Sequence, residues 1–175
     1  MARNALSQQA FHQLEAVRGI KNQQISSFFS ERKGDVVVLS SNDVVKAALA
    51  AFEEAYEQEG DKVGGELWKE VEEEAASWLV TYEKEYGYYD LFLIAKDGDV
   101  VYTVEQESEI GENLASGPLR DSPAGKCFRA ALSGFAFQDF ESYAPSGGAP
   151  AAFVGAPVHV RNKTIGVVML QVPLD

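Results

Sequence analysis

Apolar residues recur along this chain at two spacings, and the spacing changes near residue 88. In the first part Leu6, Ala10, Leu14, Val17, Ile20, Ile25 and Phe28 follow one another at intervals of mostly three and four, which trace one face of a long helix. Polar Gln8, Gln13, Glu15, Arg18, Lys21 and Gln23 occupy the other positions. Gly34 interrupts the pattern, and the residues leave open whether the helix breaks there or continues through residues 35–39. Ser41-Asn42 offers an N-cap to a second helix with Val45, Ala48, Leu49, Phe52 and Tyr56 on one side. After glycines at 60, 64 and 65, a third helix carries Leu67, Val71, Ala75, Trp78, Tyr82 and Tyr86 and stops at Gly87, a residue suited to the left-handed turn that follows a helix.

From Tyr88 onward the elements are short and rich in β-branched and aromatic residues. Residues 89–95 (YDLFLIA) form an apolar run closed by Lys96-Asp97-Gly98-Asp99, a strong hairpin signal, and residues 100–104 (VVYTV) return as the second strand. A loop over residues 105–121, rich in Gly, Ser and acidic side chains, leads to Ser122-Pro123, a capping hydroxyl followed by a proline suited to the first helical turn. That short helix ends near Gly134. Three more strands are expected near residues 135–140, 151–160 and 164–172, separated by the Pro-Gly turn of residues 143–150 and by Asn162-Lys163. The last run, IGVVMLQV, is almost wholly apolar, as a central strand covered on both faces should be. The expectation is an α+β fold: a five-stranded antiparallel sheet preceded by a long helix and two further helices, the long helix lying on one face or edge of the sheet. Residues 1–87 would be the helical portion and residues 88–175 the sheet module, together one domain.

Composition narrows the function more than it identifies it. A chain of 175 residues with formal net charge -12 can bury a real core, and its acidity argues against nucleic acid, whose phosphates it would repel. Glu-rich patches at 53–59 and 66–74 fit solvated helix faces. No apolar run is long enough to span a bilayer, and no signal peptide is visible. A chain beginning inside a helix and ending on Val172-Pro-Leu-Asp175 has the look of an excised piece. The lone Cys127 shares a helix face with Ala124, Phe128 and Ala131 and is expected to be a buried structural thiol. His12 and His159 have no acidic or thiol companion at metal-ligand spacing, so neither metal nor cofactor is expected. Gly-x-Ser-x-Gly and His-Glu-x-x-His do not occur and neither histidine has a catalytic companion, so no catalytic residue is assigned and no enzyme is expected.

The stretch YYDLFLIAKDGDVVYTV, then GENLASGPLRDSPAGKCFRAALSG, then YAPSGGAPAAFVGAPVHVRNKTIGVVMLQV resembles the Cache-type, extracytoplasmic PAS-like sensor domains of bacterial methyl-accepting chemotaxis proteins and related transmembrane receptors. The preceding VRGIKNQQISSFFSERKGDVVVLSSNDVVKAALAAF resembles the helices that lead into such domains. The order of elements and the closing Ala-Pro-Val and Ile-Gly-Val pattern carry the likeness. The Arg-x-Trp-Tyr signature with which amino-acid-binding members hold a ligand carboxylate does not occur, so no binding residue transfers position by position.

The resemblance implies a periplasmic, ligand-binding domain of a membrane-anchored, homodimeric receptor of the inner membrane. The face from Leu6 to Phe28 would pair with a second copy, and Asp175 would fall where a second membrane span begins. A cytoplasmic PAS- or GAF-like regulatory domain, or the sensor of a histidine kinase or nucleotide cyclase, are the alternatives. The ligand is expected to be a small polar metabolite bearing a carboxylate, held between the sheet and residues 105–121 by Arg120, with Asp121 beside it; a salt bridge that ties down the loop is the competing role. Asp90, on the same side of its strand as Phe92, is a pocket candidate or a cap, and Asp139 a partner for an amine or hydroxyl. Tyr143 and Phe153 could wall the pocket or simply pack. Should Arg120 prove structural, a cationic ligand on Asp90 or Asp139 is the alternative.

Overall fold

The computed structural model describes residues 2–174, with side chains from residue 8; the side chain of Leu6 and all of Asp175 lie outside the described residues. Nine elements follow in order: α1 (Ala2–Ser41), α2 (Asp43–Gln58), α3 (Glu66–Tyr86), β1 (Asp90–Ala95), β2 (Val100–Thr103), α4 (Pro123–Ala131), β3 (Ala136–Ser142), β4 (Pro150–Val160) and β5 (Lys163–Val172). The chain divides into two compact units, Met1–Gly34 and Asp35–Asp175.

In the first unit every described side chain from 8 to 31 is exposed, Leu14 at 69% and Ile20 at 57% among them. From Ala10 to Phe28 the predicted stripe is therefore part of a helix and its side chains are exposed. Gly34 does not stop α1, which continues to Ser41. Among the described residues of α1, Val36 and Leu39, both in the second unit, enter the apolar core.

The second unit is built on one antiparallel sheet in the order β2-β1-β5-β4-β3. This is the α+β, PAS/Cache-like arrangement that the strand pattern predicts. The apolar strand β5 sits in the middle because both faces are covered. Alternation along each strand separates two cores. Leu91, Leu93, Tyr102, Val154, Val168 and Leu170 point to one side, where α2 and α3 pack with Phe52, Trp68 and Leu79. Phe92, Ile94, Val100, Phe153, Val167 and Met169 point to the other, under α4 with Cys127 and Phe128. Cys127 is buried, as its helix face predicts.

The caps are those the sequence signals. Asn42 accepts from the amide of Val44 at the start of α2, Ser122 accepts from the amide of Gly125 with Pro123 inside the first turn of α4, and Gly87 ends α3 in the left-handed region at φ 70°. In α3 the inward face is rotated from the predicted one. Trp68 is buried and its indole N–H donates to the Val101 carbonyl at 2.8 Å, whereas Leu67 and Tyr86 are exposed. A tryptophan takes the inner position because it fills more volume than leucine and has a buried acceptor for its one donor.

Two glycines set how closely the helices approach the sheet. A Cβ on Gly155 would lie 2.9 Å from the Ala131 Cβ of α4, and one on Gly166 2.9 Å from Leu49 Cδ2 of α2. The loop over residues 105–121 covers the open edge of β2. Gly111 N–H donates to the Val100 carbonyl, Val100 N–H to the Glu112 carbonyl, and Leu114 N–H to the Gly98 carbonyl. Asn113 locks this piece, donating to Asp99 and accepting from the amides of Ala115 and Ser116.

Candidate functional site

The α4 side of the sheet is apolar over most of its area and becomes polar at one end. Asp90 opens β1 and shares its face with Phe92 by alternation. Thr103, opposite Phe92 in register, and Gln171, opposite Asp90, fall on that same face. Glu109 reaches it from the covering loop, and Tyr143 from the residue after β3. Asp90, Thr103, Glu109 and Tyr143 have 0% exposure and Gln171 has 4%, so this polar end is sealed from solvent.

Half of Asp90 explains the local backbone. Its Oδ1 accepts from the amides of Leu91, Val104 and Glu105 at 2.7, 2.9 and 3.1 Å and so fixes where β2 gives way to the loop. The other oxygen, Oδ2, is buried without a hydrogen-bond partner. Glu109 repeats the pattern more weakly, with Oε1 accepting from the Thr103 hydroxyl at 3.4 Å and Oε2 unpartnered. The Tyr143 hydroxyl and Gln171 Oε1 are likewise buried and unpartnered. Nearly every buried polar atom in a folded protein finds a partner, so four buried atoms without one on this polar end make it the candidate site.

Burial sets the charge state. Removal from water pushes the Asp90 carboxyl up to about 8, against the three backbone donors that favour its anion and with the Glu109 charge raising it further. Burial pushes Glu109 up to about 7, with the Glu107 charge adding to the rise. The Tyr143 hydroxyl is raised chiefly by burial and then by Glu109, Asp90 and Glu107. Burial thus favours the neutral form of both carboxyls, more strongly for Asp90 than for Glu109.

A hydrogen-bonded chain forms the rim. Gln171 Nε2 donates to Ser146 Oγ at 3.2 Å, Ser146 donates to Glu107 at 3.0 Å, and the Tyr89 hydroxyl donates to the other Glu107 oxygen at 2.7 Å. That bond to Glu107 raises the Tyr89 hydroxyl to about 12. The aromatic wall is Phe92, Phe153 and Tyr143, in edge-on pairs with centroids 5.8 and 5.1 Å apart.

Of the residues expected at the site, Asp90, Phe92, Tyr143 and Phe153 converge here. Arg120, Asp121 and Asp139 are exposed instead. Arg120 stands at the end of the loop, where its carbonyl accepts from the Arg129 guanidinium of α4. Asp139 accepts from the neighbouring amide of Phe140. Sequence reasoning missed Thr103, Glu109 and Gln171. Gln171 had a signal, as the lone polar residue within the apolar run IGVVMLQV. Glu109 had none, because only the fold of its loop brings it under the sheet.

No family model matches the sequence, and no curated protein does. Solved structures match the fold. The sensor domain of the V. cholerae histidine kinase DctB superposes with a TM-score of 0.63 at 16% identity, covering 87% of this chain and 52% of that one. The ligand-binding domain of the Pseudomonas aeruginosa PAO1 amino acid chemoreceptor PctC, in complex with GABA, gives 0.53 at 14% identity, covering 87% and 56%. The chain therefore spans about half the length of the sensor domains it matches, and it shares the Cache-type fold.

Proposed function

We propose that this chain is a ligand-binding sensor module of a bacterial transmembrane receptor, most simply a chemoreceptor, and not an enzyme. The observation that carries the reading is the set of four unpartnered buried polar atoms on Asp90, Glu109, Tyr143 and Gln171, beside an aromatic wall. A few convergent polar groups against an apolar surface are the usual make-up of a small-molecule site. The fold shared with two sensor domains supports a sensing role. In this reading residues 88–175 hold the ligand and residues 1–87 carry the response. The domain lies in the periplasm, anchored through its parent, and works as a dimer.

The pocket is assigned to Asp90, Phe92, Thr103, Glu109, Tyr143, Phe153 and Gln171. A thermal-shift screen of small metabolites tests it, since a ligand at about 100 times its dissociation constant adds roughly 2.7 kcal/mol of stability. At least one hit is expected whose effect disappears in Tyr143→Phe or Gln171→Leu. Hits unaffected by both substitutions would move the site elsewhere. Localisation is tested separately, with a phosphatase reporter fused to the parent receptor. Activity of the reporter in the periplasm is expected, and cytoplasmic placement would favour an intracellular regulatory domain.

A further inference from the structure

Helix α2 carries apolar residues on two sides. Val45, Leu49, Phe52 and Tyr56 turn into the core. Val44, Ala47 and Ala51 follow at helical spacing on the flank toward α3, where Val44 and Ala47 are exposed and Ala51 is half-buried. Two adjoining hollows of about 230 and about 420 Å³ lie along this flank, between α2 and α3. They share Ala51, Val71 and Glu74, so they are two parts of one groove. The end of α2 faces the start of α3 in one, and the start of α2 faces the middle of α3 in the other, as antiparallel helices require. From Val44 to Gln58 the groove runs about 21 Å at 1.5 Å per residue, the length of a four-turn helix.

The groove is apolar along its floor and anionic along its edges. Ala48 and Ala55 lie buried at the bottom with Ala51, Val71 and Ala75 beside them, and the small alanines leave room above for larger side chains. Asp43, Glu54, Glu70 and Glu74 stand exposed along the edges, and among the described residues no lysine, arginine or histidine lines the groove. Two of these carboxylates are engaged within α2, Asp43 with Lys46 at 3.1 Å and Glu54 with Gln58 at 2.9 Å. Glu70 and Glu74 make no hydrogen bond or ion pair among the described residues. They do not serve their own helix either: Glu66, Glu70 and Glu74 are spaced four apart, and like charges at that spacing destabilise a helix. Positions 43–86 hold 13 acidic and 4 basic residues, a net charge of -9 within a chain of -12.

That charge turns away nucleic acid and anionic membrane surfaces alike. A lone small cation would satisfy the edges and leave the floor wet. A helix with an apolar stripe flanked by lysine or arginine satisfies both, its large apolar side chains at i, i+3, i+4 and i+7 filling the floor while its cations meet Glu70 and Glu74. We propose that the groove between α2 and α3 is a docking site for a basic amphipathic helix of a partner protein. The groove lies on the side of the sheet opposite Asp90 and Tyr143, so the inference does not rest on the ligand site and adds a protein partner to it.

The test uses the full 175-residue chain and a fluorescein-labelled peptide of leucine and lysine, 15 residues long, with leucines at i, i+3, i+4 and i+7. One control peptide has glutamate in place of lysine, and another has the same composition with the leucine spacing scrambled. Anisotropy titrations are run at about 0.15 M salt, where charges more than about 8 Å apart are largely screened. The expected result is saturable one-to-one binding of the amphipathic lysine peptide, with no binding of the glutamate peptide and weaker binding of the scrambled one. Glu70→Gln with Glu74→Gln should weaken it about fivefold, the worth of two exposed ion pairs. Ala51→Leu, which fills the floor where the two hollows join, should weaken it at least as much. Glu57→Gln with Glu73→Gln removes the same charge from exposed positions of the same helices outside the groove and should leave the affinity unchanged. Each variant is checked by its own melting transition.

Equal binding of the scrambled peptide, or an equal loss in the Glu57 and Glu73 variant, reduces the effect to general attraction by an acidic protein and overturns the inference. Binding that Ala51→Leu leaves untouched, or no binding of the amphipathic peptide at all, overturns it as well. Tyr143→Phe, on the other side of the sheet, should not change peptide binding, so failure here and failure of the ligand site are read separately.

Discussion

Asp90 divides its work between two oxygens, and the two can be separated by substitution. Asp90→Asn preserves the Oδ1 acceptor for the amides of Leu91, Val104 and Glu105, whereas Asp90→Ala leaves three amides without it. The alanine variant should lose on the order of 3 kcal/mol, the asparagine variant little or nothing, as read by urea unfolding at neutral pH. The pH dependence follows from the same residue. Burial pushes its carboxyl up to about 8 in the folded chain from an ordinary value of 3.8, and Glu109 up to about 7 from 4.5. Groups raised by folding stabilise the fold fully below their unfolded values and lose that contribution as pH rises through the folded ones. Unfolding free energy should therefore fall between about pH 4 and about pH 8, by at most about 1.4 kcal/mol per pH unit for each group. Asp90→Asn should flatten the profile; an unchanged slope would assign the titration to other carboxyls. At this scale the sequence was only partly legible. Alternation placed Asp90 with Phe92 because a strand has a fixed period of two, and the same rule applied to β5 would have added Gln171. Nothing of the kind exists for Glu109. Its loop has no period, and its place depends on bonds between its backbone and β2 that no spacing encodes. Arg120 attracted attention as the cation of its loop, but long charged side chains favour water unless a buried partner is supplied.

Elements were more legible than sites. Caps at Asn42, Ser122 and Gly87 and the Asp97-Gly98 hairpin are local in cause, so the chain states them locally. The facing of α3 is not local: periodicity gives a stripe, and the partner decides which edge of the stripe turns in. Trp68→Phe checks that point. Loss of the indole bond to Val101 should cost about 1–3 kcal/mol and, since Trp68 packs on Phe52 and Tyr102, leave the fold intact by circular dichroism. Helix α1 raises the opposite question, that of a face without a cover. Phe11, Leu14, Val17, Ile20 and Ile25 are each more than half exposed, although most helical stability in proteins comes from packing an apolar face rather than from propensity. A second copy of the same helix is the expected cover. Sedimentation should show self-association, and Leu14→Glu with Val17→Glu should abolish it; variants that associate like the parent would refute the assignment.

At the scale of the molecule, the sheet has two different jobs on its two faces. The α2–α3 face is packed with rings and apolar chains, the buried Trp68 donor satisfied, and it serves stability. The α4 face is apolar where Gly155 lets the helix come close and polar where the loop comes over, and there Asp90, Glu109, Tyr143 and Gln171 each hold a buried atom without a partner. This asymmetry also supplies a clock. Cys127 is the chain's single thiol, buried between α4 and Gly155, and burial pushes it up to about 12. At neutral pH a thiol so placed has a thiolate fraction on the order of one in 100,000 and no access for a labelling reagent, so it reacts when α4 lifts from the sheet. The rate of alkylation thus counts openings of the ligand-bearing face, one modified molecule at a time, without any engineered probe. A compound held at the Asp90 end should slow that count in proportion to its occupancy, and a compound bound anywhere else should leave it running.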